Sequence, residues 1–352
     1  MMVKKKTSKN KKSKPVNPQK KVSELRRDLV TGDWIAIATG RAGKPRAFIK
    51  EDKSRLDTDI TKCPFENPQA HGNKPPLLLY KNKKHPDWSL QVIPNKYPAF
   101  GHMEGCGDIQ EVGPYLVRDG RGYHEVIITR DHKKHLALLA LGEVAEVISA
   151  YKARYLVLKE DECVKYISIF HNHGADAGAS LPHPHSQLIA VPFVPSDIHR
   201  SLVGSNMFFR KNGQCVHCSM VAWELKDKKR LVFENEMFVA FCPFVSRTAF
   251  EIRIFPKGHR AYFENLPDKD IPQLAEALRA SLAKLNKLLD DPSYNFFIHT
   301  APVDGGKYPN YHWHIEILPK TAIWAGFELG TGIEISTLEP KKAAKFLRDV
   351  KI

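Results

Sequence analysis

The most reactive arrangement in this 352-residue chain is His183-Pro184-His185-Ser186-Gln187. A neutral imidazole offers a lone pair near pH 7, so it attacks phosphorus without a separate general base. The phosphorylated ring is in turn labile enough to pass its group on. On an extended segment, residues two apart point the same way, about 6.5–7 Å apart along the strand. Pro184 fixes its own φ and biases His183 toward the extended region. The preceding stretch, residues 172–180, reads Asn-His-Gly-Ala-Asp-Ala-Gly-Ala-Ser. Its small residues, Gly174 among them, let the backbone approach phosphate oxygens, and Asn172, Ser180 and Gln187 are hydrogen-bond donors. Arg41 and Lys44 are the nearest sources of countercharge. Transfer at phosphorus depends mainly on such positioning and neutralisation. The expected chemistry is nucleotidyl transfer with His185 as nucleophile. The plainer alternative is that both histidines bind metal or pack.

Two further sets have the composition of metal centres. Cys215 and Cys218 form a C-x-x-C, and with His259 and His312 they make a tetrahedral Cys2His2 zinc set. Upstream, Cys63, Glu66, His132 and His183 repeat the pattern, with Glu66 where the second cysteine would stand. A carboxylate also binds zinc, so this set either holds metal as Cys-Glu-His-His or survives as a hydrogen-bonded cluster. Four protein ligands leave no open position for water. The expected cofactor is therefore structural zinc, one or two ions per chain.

The elements that must position these residues occur twice in the same order. In the first half, strand patterns at 34–38, 90–93 and 124–129 precede a helix at 141–159. That helix is marked by Val144, Val147, Ile148, Tyr151 and Tyr155 at helical spacing. A strand at 166–170 and an extended segment at 183–192 follow. In the second half, strands at 238–241 and 250–255 precede a helix at 267–289, then strands at 295–299 and 312–318. His132 and His183 are 51 residues apart, and His259 and His312 are 53 apart. This order predicts an α+β chain of two tandem units. A basic tail (1–22) is followed by a catalytic unit (23–195) and a second unit (210–340). His312-Trp313-His314 is followed by no Ser-Gln, so the second half is expected to be degenerate.

Composition narrows the class. No apolar run approaches the roughly 20 residues a bilayer span needs, and the lysine-rich start has no apolar segment behind it, which predicts a cytoplasmic protein. Of the net charge of +15, nine charges belong to the lysines of the tail, which leaves +6 for the rest. That mild excess suits anionic small substrates better than nucleic acid. The six cysteines are not expected to form a disulfide framework.

These residues resemble the galactose-1-phosphate uridylyltransferase family, a duplicated branch of the histidine-triad superfamily. The likeness runs from about Leu25 to Pro319. It rests on Asp33-Trp34-Ile35 with Arg41 and Lys44, Cys63-Pro64-Phe65, and Val92-Ile93-Pro94-Asn95-Lys96-Tyr97-Pro98. It extends to Asn172-x-Gly174 and to Gly178-Ala179-Ser180-x-Pro182-His183-Pro184-His185-Ser186-Gln187. The resemblance implies two histidine-triad-like units, each an antiparallel sheet with packed helices. It also implies ping-pong transfer of UMP between UDP-glucose and a hexose (galactose) 1-phosphate. By the same resemblance His183 binds zinc, His185 carries the nucleotide, Ser180 and Gln187 contact the phosphoryl group, and Asn172 binds phosphate oxygens. Arg41 and Lys44 face the sugar phosphate, and Asn95 lies by the nucleotide. The expected partners are a nucleotide sugar and a sugar 1-phosphate, with a homodimer left open and no membrane. Ser186 stands where uridylyl enzymes carry glycine and looks more like the adenylyl-transferring relatives similar to ADP-glucose phosphorylase. Lys96 replaces an acidic ribose contact, and no carboxylate stands near Ser201 for the iron site of some members. A third reading, a zinc-bearing RNA-binding protein, draws on the lysine tail and the C-x-x-C.

Overall fold

The structure is a computed structural model that describes residues 23–38, 44–49 and 59–352. The basic tail and Arg41 lie outside the described residues. Two short strands, β1 (Glu24–Arg27) and β2 (Trp34–Ile37), open the described chain, followed by β3 (Leu78–Tyr80) and β4 (Leu90–Pro94). A hairpin of β5 (Ile109–Val112) and β6 (Tyr115–Arg118) precedes β7 (Tyr123–Thr129), helix α1 (Leu141–Leu158), β8 (Tyr166–His173) and β9 (His185–Val191). Helices α2 (Ser196–Asn212) and α3 (Val216–Asp227) lead to β10 (Leu231–Glu234), β11 (Phe238–Phe241) and β12 (Ile252–Pro256). Then come α4 (Ile271–Leu289), β13 (Tyr294–His299), β14 (His314–Pro319), α5 (Gly326–Thr331), β15 (Ile335–Ser336) and α6 (Pro340–Asp349).

Ten strands form one sheet in the order β10-β11-β12-β14-β13-β8-β9-β7-β4-β3, and every pairing in it is antiparallel. The repeat read from the sequence is visible in its symmetry. Gln187 pairs with Phe170 in the first half as Glu316 pairs with Phe297 in the second, and Phe170 pairs with Phe297 across the junction. A pseudo-two-fold axis therefore passes between β8 and β13, where two five-stranded halves join edge to edge.

The sheet has two different faces because side chains alternate along each strand. Ile127, Ile167, Ile169, Leu188 and Ala190 face α1, and Ile254, Phe296, Ile315 and Ile317 belong to the same core with α4. Helix α1 forms because Val144, Val147, Ile148, Tyr151, Tyr155 and Leu158 make one buried stripe, and Glu143 accepts the Ala140 N–H at 2.8 Å to close its first turn. Helix α4 buries Leu274, Leu278, Leu282, Leu285 and Leu289, and Asp290 ends it in the left-handed region. On the other face, Ile93, Val126 and Ile128 pack with Cys63, Phe65 and Trp88.

Three features have no local sign in the sequence. β1 and β2 join β15 in a separate sheet, so residues 24–37 pair with the far end of the chain and not within a self-contained 23–195 unit. The expected boundary at 195–210 is helix α2, and its Gly204 approaches the Val30 carbonyl so closely that a Cβ would lie 1.6 Å from that oxygen. Cys106 and Cys163, with Cα atoms 5.1 Å apart, form one disulfide, and the other four cysteines are free thiols. Among the described residues no helix is long and apolar enough to cross a membrane.

Candidate active site

His185 opens β9 on the face away from the helices. Its Nδ1 donates to its own segment, to the His183 carbonyl at 2.8 Å, which leaves the lone pair on Nε2. The Phe65 ring packs against it edge-on at 5.1 Å, so the Cys63-Pro64-Phe65 loop fixes the imidazole plane. Burial lowers its pKa from the ordinary histidine value, which keeps the ring neutral and nucleophilic at pH 7.

Gln187, two residues on, shares this face. Its Oε1 lies 2.8 Å from Nε2 of His124. The Ala99 N–H donates to His124 Nδ1 at 3.2 Å, so the ring proton sits on Nε2 and is given to Gln187. That leaves the Gln187 amide group free to donate outward. Asn95 touches the same His124 nitrogen at 3.0 Å and caps Tyr97 N–H with its Oδ1 at 2.8 Å. Asn95 and Gln187 are legible in the sequence as motif candidates, whereas His124, which lies between them, is not. Period-two alternation from Val126, which pairs with Gln187, carries the signal.

Asn172 also lies on this face, and its Oδ1 accepts from Asn295 of the second half at 2.8 Å. Asn295 further donates to the Ala177 carbonyl at 2.8 Å and so tethers the loop that leads to Ser180. Ser180 is exposed. Gly174 has φ +81°, and a Cβ there would lie 2.2 Å from Ser293 Oγ, so its close packing accounts for glycine without any phosphate. Lys44 is exposed, and the turn after it, Pro45–Phe48, packs through Phe48 on the helix-face core, so no contact brings Lys44 to His185.

Ser186 points the opposite way. It is buried on the α1 side, with Tyr151 Oη at 2.5 Å and His171 Nδ1 at 2.9 Å. Ser186 therefore does not face the His185 side of the sheet.

Both metal sets assemble. Nδ1 atoms of His132 and His183 stand 3.1 Å apart, and Cys63 Sγ is 3.6 Å from His183 Nδ1. His183 Nε2–H donates to the Thr129 carbonyl at 2.7 Å, which aims Nδ1 at the cluster. Burial holds the His183 pKa at about 4. Glu66 Oε2 lies 3.4 Å from His132 Nδ1 and 3.9 Å from His183 Nδ1, buried with no hydrogen-bond partner, while its Oε1 is held by Arg130. An orphaned carboxylate oxygen facing two imidazole nitrogens is the donor set a divalent cation requires. In the second half, Cys218 Sγ is 3.3 Å from His259 Nδ1 and 3.4 Å from His312 Nδ1, with Cys215 in the same cluster. Cys215 caps α3, so the C-x-x-C is the first turn of that helix. The hydrogen bond between the two thiols lowers one pKa and raises the other, a conflict that a bound cation removes. Both sets fit zinc.

The second half repeats the backbone geometry with different side chains around it. His314 occupies the place of His185 and sends Nδ1 to the His312 carbonyl at 3.2 Å. It is stacked on Phe255, with the His217 ring tilted against it at 5.0 Å, and is buried. Glu316, in the place of Gln187, is locked with His299 and Arg253, and Arg253 also pairs with Glu251. Burial would raise the Glu316 carboxyl, but the Arg253 guanidinium holds it well below the carboxylate range. A buried ion network thus stands where the first half has Gln187.

Known proteins share this arrangement. A family model for galactose-1-phosphate uridyl transferase, N-terminal domain, matches residues 14–195, and one for a domain of unknown function matches 119–350. An ADP-glucose phosphorylase of Arabidopsis thaliana is 34% identical over 333 residues, covering 94% of this chain and 93% of that one. The galactose-1-phosphate uridylyltransferase of Thermotoga maritima is 28% identical over 338 residues, covering 94% and 99%. The crystal structure of an ADP-glucose phosphorylase from Arabidopsis thaliana with bound ADP-glucose superposes with a TM-score of 0.80 at 32% identity, over 94% of this chain and 100% of that one. The chain belongs to the galactose-1-phosphate uridylyltransferase family and is a nucleotidyltransferase enzyme.

Proposed function

We propose that the chain moves UMP between UDP-glucose and a hexose 1-phosphate, with His185 as carrier. Nε2 attacks the α-phosphorus, a P–N bond forms, and the P–O bond to the sugar phosphate breaks, releasing sugar 1-phosphate. A second sugar 1-phosphate then attacks the same phosphorus, and the P–N bond breaks to free Nε2. Gln187 donates its amide to the phosphoryl oxygens while His124 holds the other end of its side chain. Asn172 and Ser180 line the phosphate path, and Asn95 lies toward the nucleotide. Zinc in the two cysteine-containing centres would supply structural restraint, Cys63, Glu66, His132 and His183 holding the strand entry that carries His185. The observation that carries the reading is the Nδ1 bond to the His183 carbonyl, which leaves Nε2 as the one free nitrogen of a buried, neutral imidazole.

Incubation with UDP-glucose labelled at the α-phosphate should leave acid-labile label on the protein, and His185→Ala should carry none. Full exchange activity in His185→Ala would overturn the mechanism. A second reading, transfer of AMP from ADP-glucose to phosphate, is favoured by the 34% identity to an ADP-glucose phosphorylase against 28% to the Thermotoga uridylyltransferase. Exchange rates with UDP-glucose and ADP-glucose, measured side by side, decide between the two.

A further inference from the structure

A third cluster of ligand-type side chains lies on the helix face of the sheet, away from the nucleophile. His173 ends β8, His135 sits in the loop between β7 and α1, and Asp291 follows α4. Nε2 of His173 is 2.8 Å from Asp291 Oδ1, and Nε2 of His135 is 3.4 Å from the same oxygen, with the two rings 4.3 Å apart. Donors bound at about 2.0–2.2 Å to one ion stand roughly 3–3.5 Å from each other. Sulfur and imidazole ligand atoms in the cysteine-containing centres stand 3.1–3.6 Å apart; His135 to Asp291 at 3.4 Å falls in that range, and His173 to Asp291 at 2.8 Å lies just below it.

Hydrogen bonding alone leaves this cluster incomplete. His135 is 4% exposed, and its Nδ1 has no hydrogen bond of normal geometry; its polar neighbour, Asn286, has a buried Oδ1 that also lacks one. If His135 carries its proton on Nε2, a bare Nδ1 acceptor is buried beside Asn286 Oδ1. If it carries the proton on Nδ1, that group can turn to Asn286 Oδ1, but the Nε2 lone pair then faces a carboxylate. A cation at Nε2 resolves both.

The surroundings favour positive charge. The C-terminal turn of α4 points here, and the N–H of Asp291 closes on the Asn286 carbonyl at 2.9 Å, so the negative end of a 19-residue helix meets the cluster. Asp290 and Asp291 both hold positive φ, 54° and 60°, a strained pair that turns the Asp291 carboxylate toward the histidines. Ser293, wedged against Gly174, fixes the same loop. The repeat does not supply this cluster to the second half: 127 residues on, the spacing that takes His132 to His259, His135 and His173 become Tyr262 and Thr300.

We propose that His135, His173 and Asp291 form a further metal centre, a two-histidine, one-carboxylate site for a first-row divalent cation such as Mn2+, Fe2+, Co2+ or Zn2+. It would fasten the end of β8, where the substrate-side loop begins, to the loop after α4 in the second half. The proposal is independent of which nucleotide His185 carries.

The test is Mn2+ binding to full-length protein that holds only two zinc ions per chain, one for each cysteine-containing centre, without nucleotide, read by electron paramagnetic resonance. One Mn2+ per chain should bind, with nitrogen couplings from two imidazoles. His173→Gln and Asp291→Asn should weaken binding at least tenfold while zinc content stays at the wild-type value. No bound Mn2+, bound Mn2+ without nitrogen coupling, or undiminished binding in the variants would each overturn the proposal. The nitrogen couplings are read on the wild-type protein, so a misfolded variant does not blunt the test.

Discussion

Replacing Ser186 by alanine separates two ideas about what that residue does. Its hydroxyl is shared between Tyr151 Oη and His171 Nδ1, all three residues being buried on the α1 side. Ser186→Ala strands both partners, and the space vacated by one oxygen is too small for a water. Each stranded group costs roughly 1–3 kcal/mol, so the pair should cost about 3 kcal/mol. An unfolding entropy of roughly 2.1 cal/mol/K per residue gives a chain of this length about 0.7 kcal/mol/K, hence a fall in Tm of about 4 °C. Thermal unfolding by circular dichroism measures this. Adding Tyr151→Phe removes one stranded group, so the double variant should lose less than the sum of the single losses. Because Ser186 faces away from His185, the ratio of kcat/KM for UDP-glucose and ADP-glucose should stay within about threefold of wild type, a difference under 1 kcal/mol. An unchanged Tm, or a ratio shifted more than tenfold, would refute the assignment of Ser186 to the helix face.

Four other outcomes follow from the geometry. Burial lowers the His185 pKa, so its neutral form persists further into acid, and the acid limb of kcat/KM should fall below pH 6.5; a limb above that value contradicts it. His185→Ala should reduce turnover by about 10^3-fold or more in the same assay. Cys218→Ser should remove about one zinc per chain by elemental analysis and leave His185 labelling intact, because its centre lies in the second half. Gly204→Ala drives a Cβ into the Val30 carbonyl and should destabilise by about 1–3 kcal/mol, with faster proteolysis within residues 24–37.

Long periodic elements were legible in the sequence: α1 and most of α4 fall where apolar residues recur at helical spacing. The hairpin β5–β6 was not, because nearly all its residues are exposed and no face alternates. Helix α2 exposes most of its surface and buries only Ile198, Leu202 and Ser205, so it read as a boundary. The junction of β8 with β13 joins residues over 100 apart, and no local pattern announces it. At the site, the H-x-H spacing made His183 and His185 legible, and the repeat made both cysteine-containing clusters legible, because their members recur at matching places in each half. The same period-two rule that placed His183 beside His185 sends Ser186 to the other face, which the resemblance to adenylyl enzymes obscured. His135, His173 and Asp291 lie in three separate segments, and only the fold collects them.

The β8–β13 junction makes each half the guard of the other's backbone. β8 pairs on one side with β9 and on the other only with β13, so a fragment ending after β9 would bare a row of unpaired N–H and C=O groups along Tyr166–His173. Such a fragment has one ready partner for that row, the β8 of another fragment, paired about the Phe170 position as Phe297 pairs now. The second half thus stands where a second copy of the first could otherwise pair, a tethered neighbour for the open edge of β8.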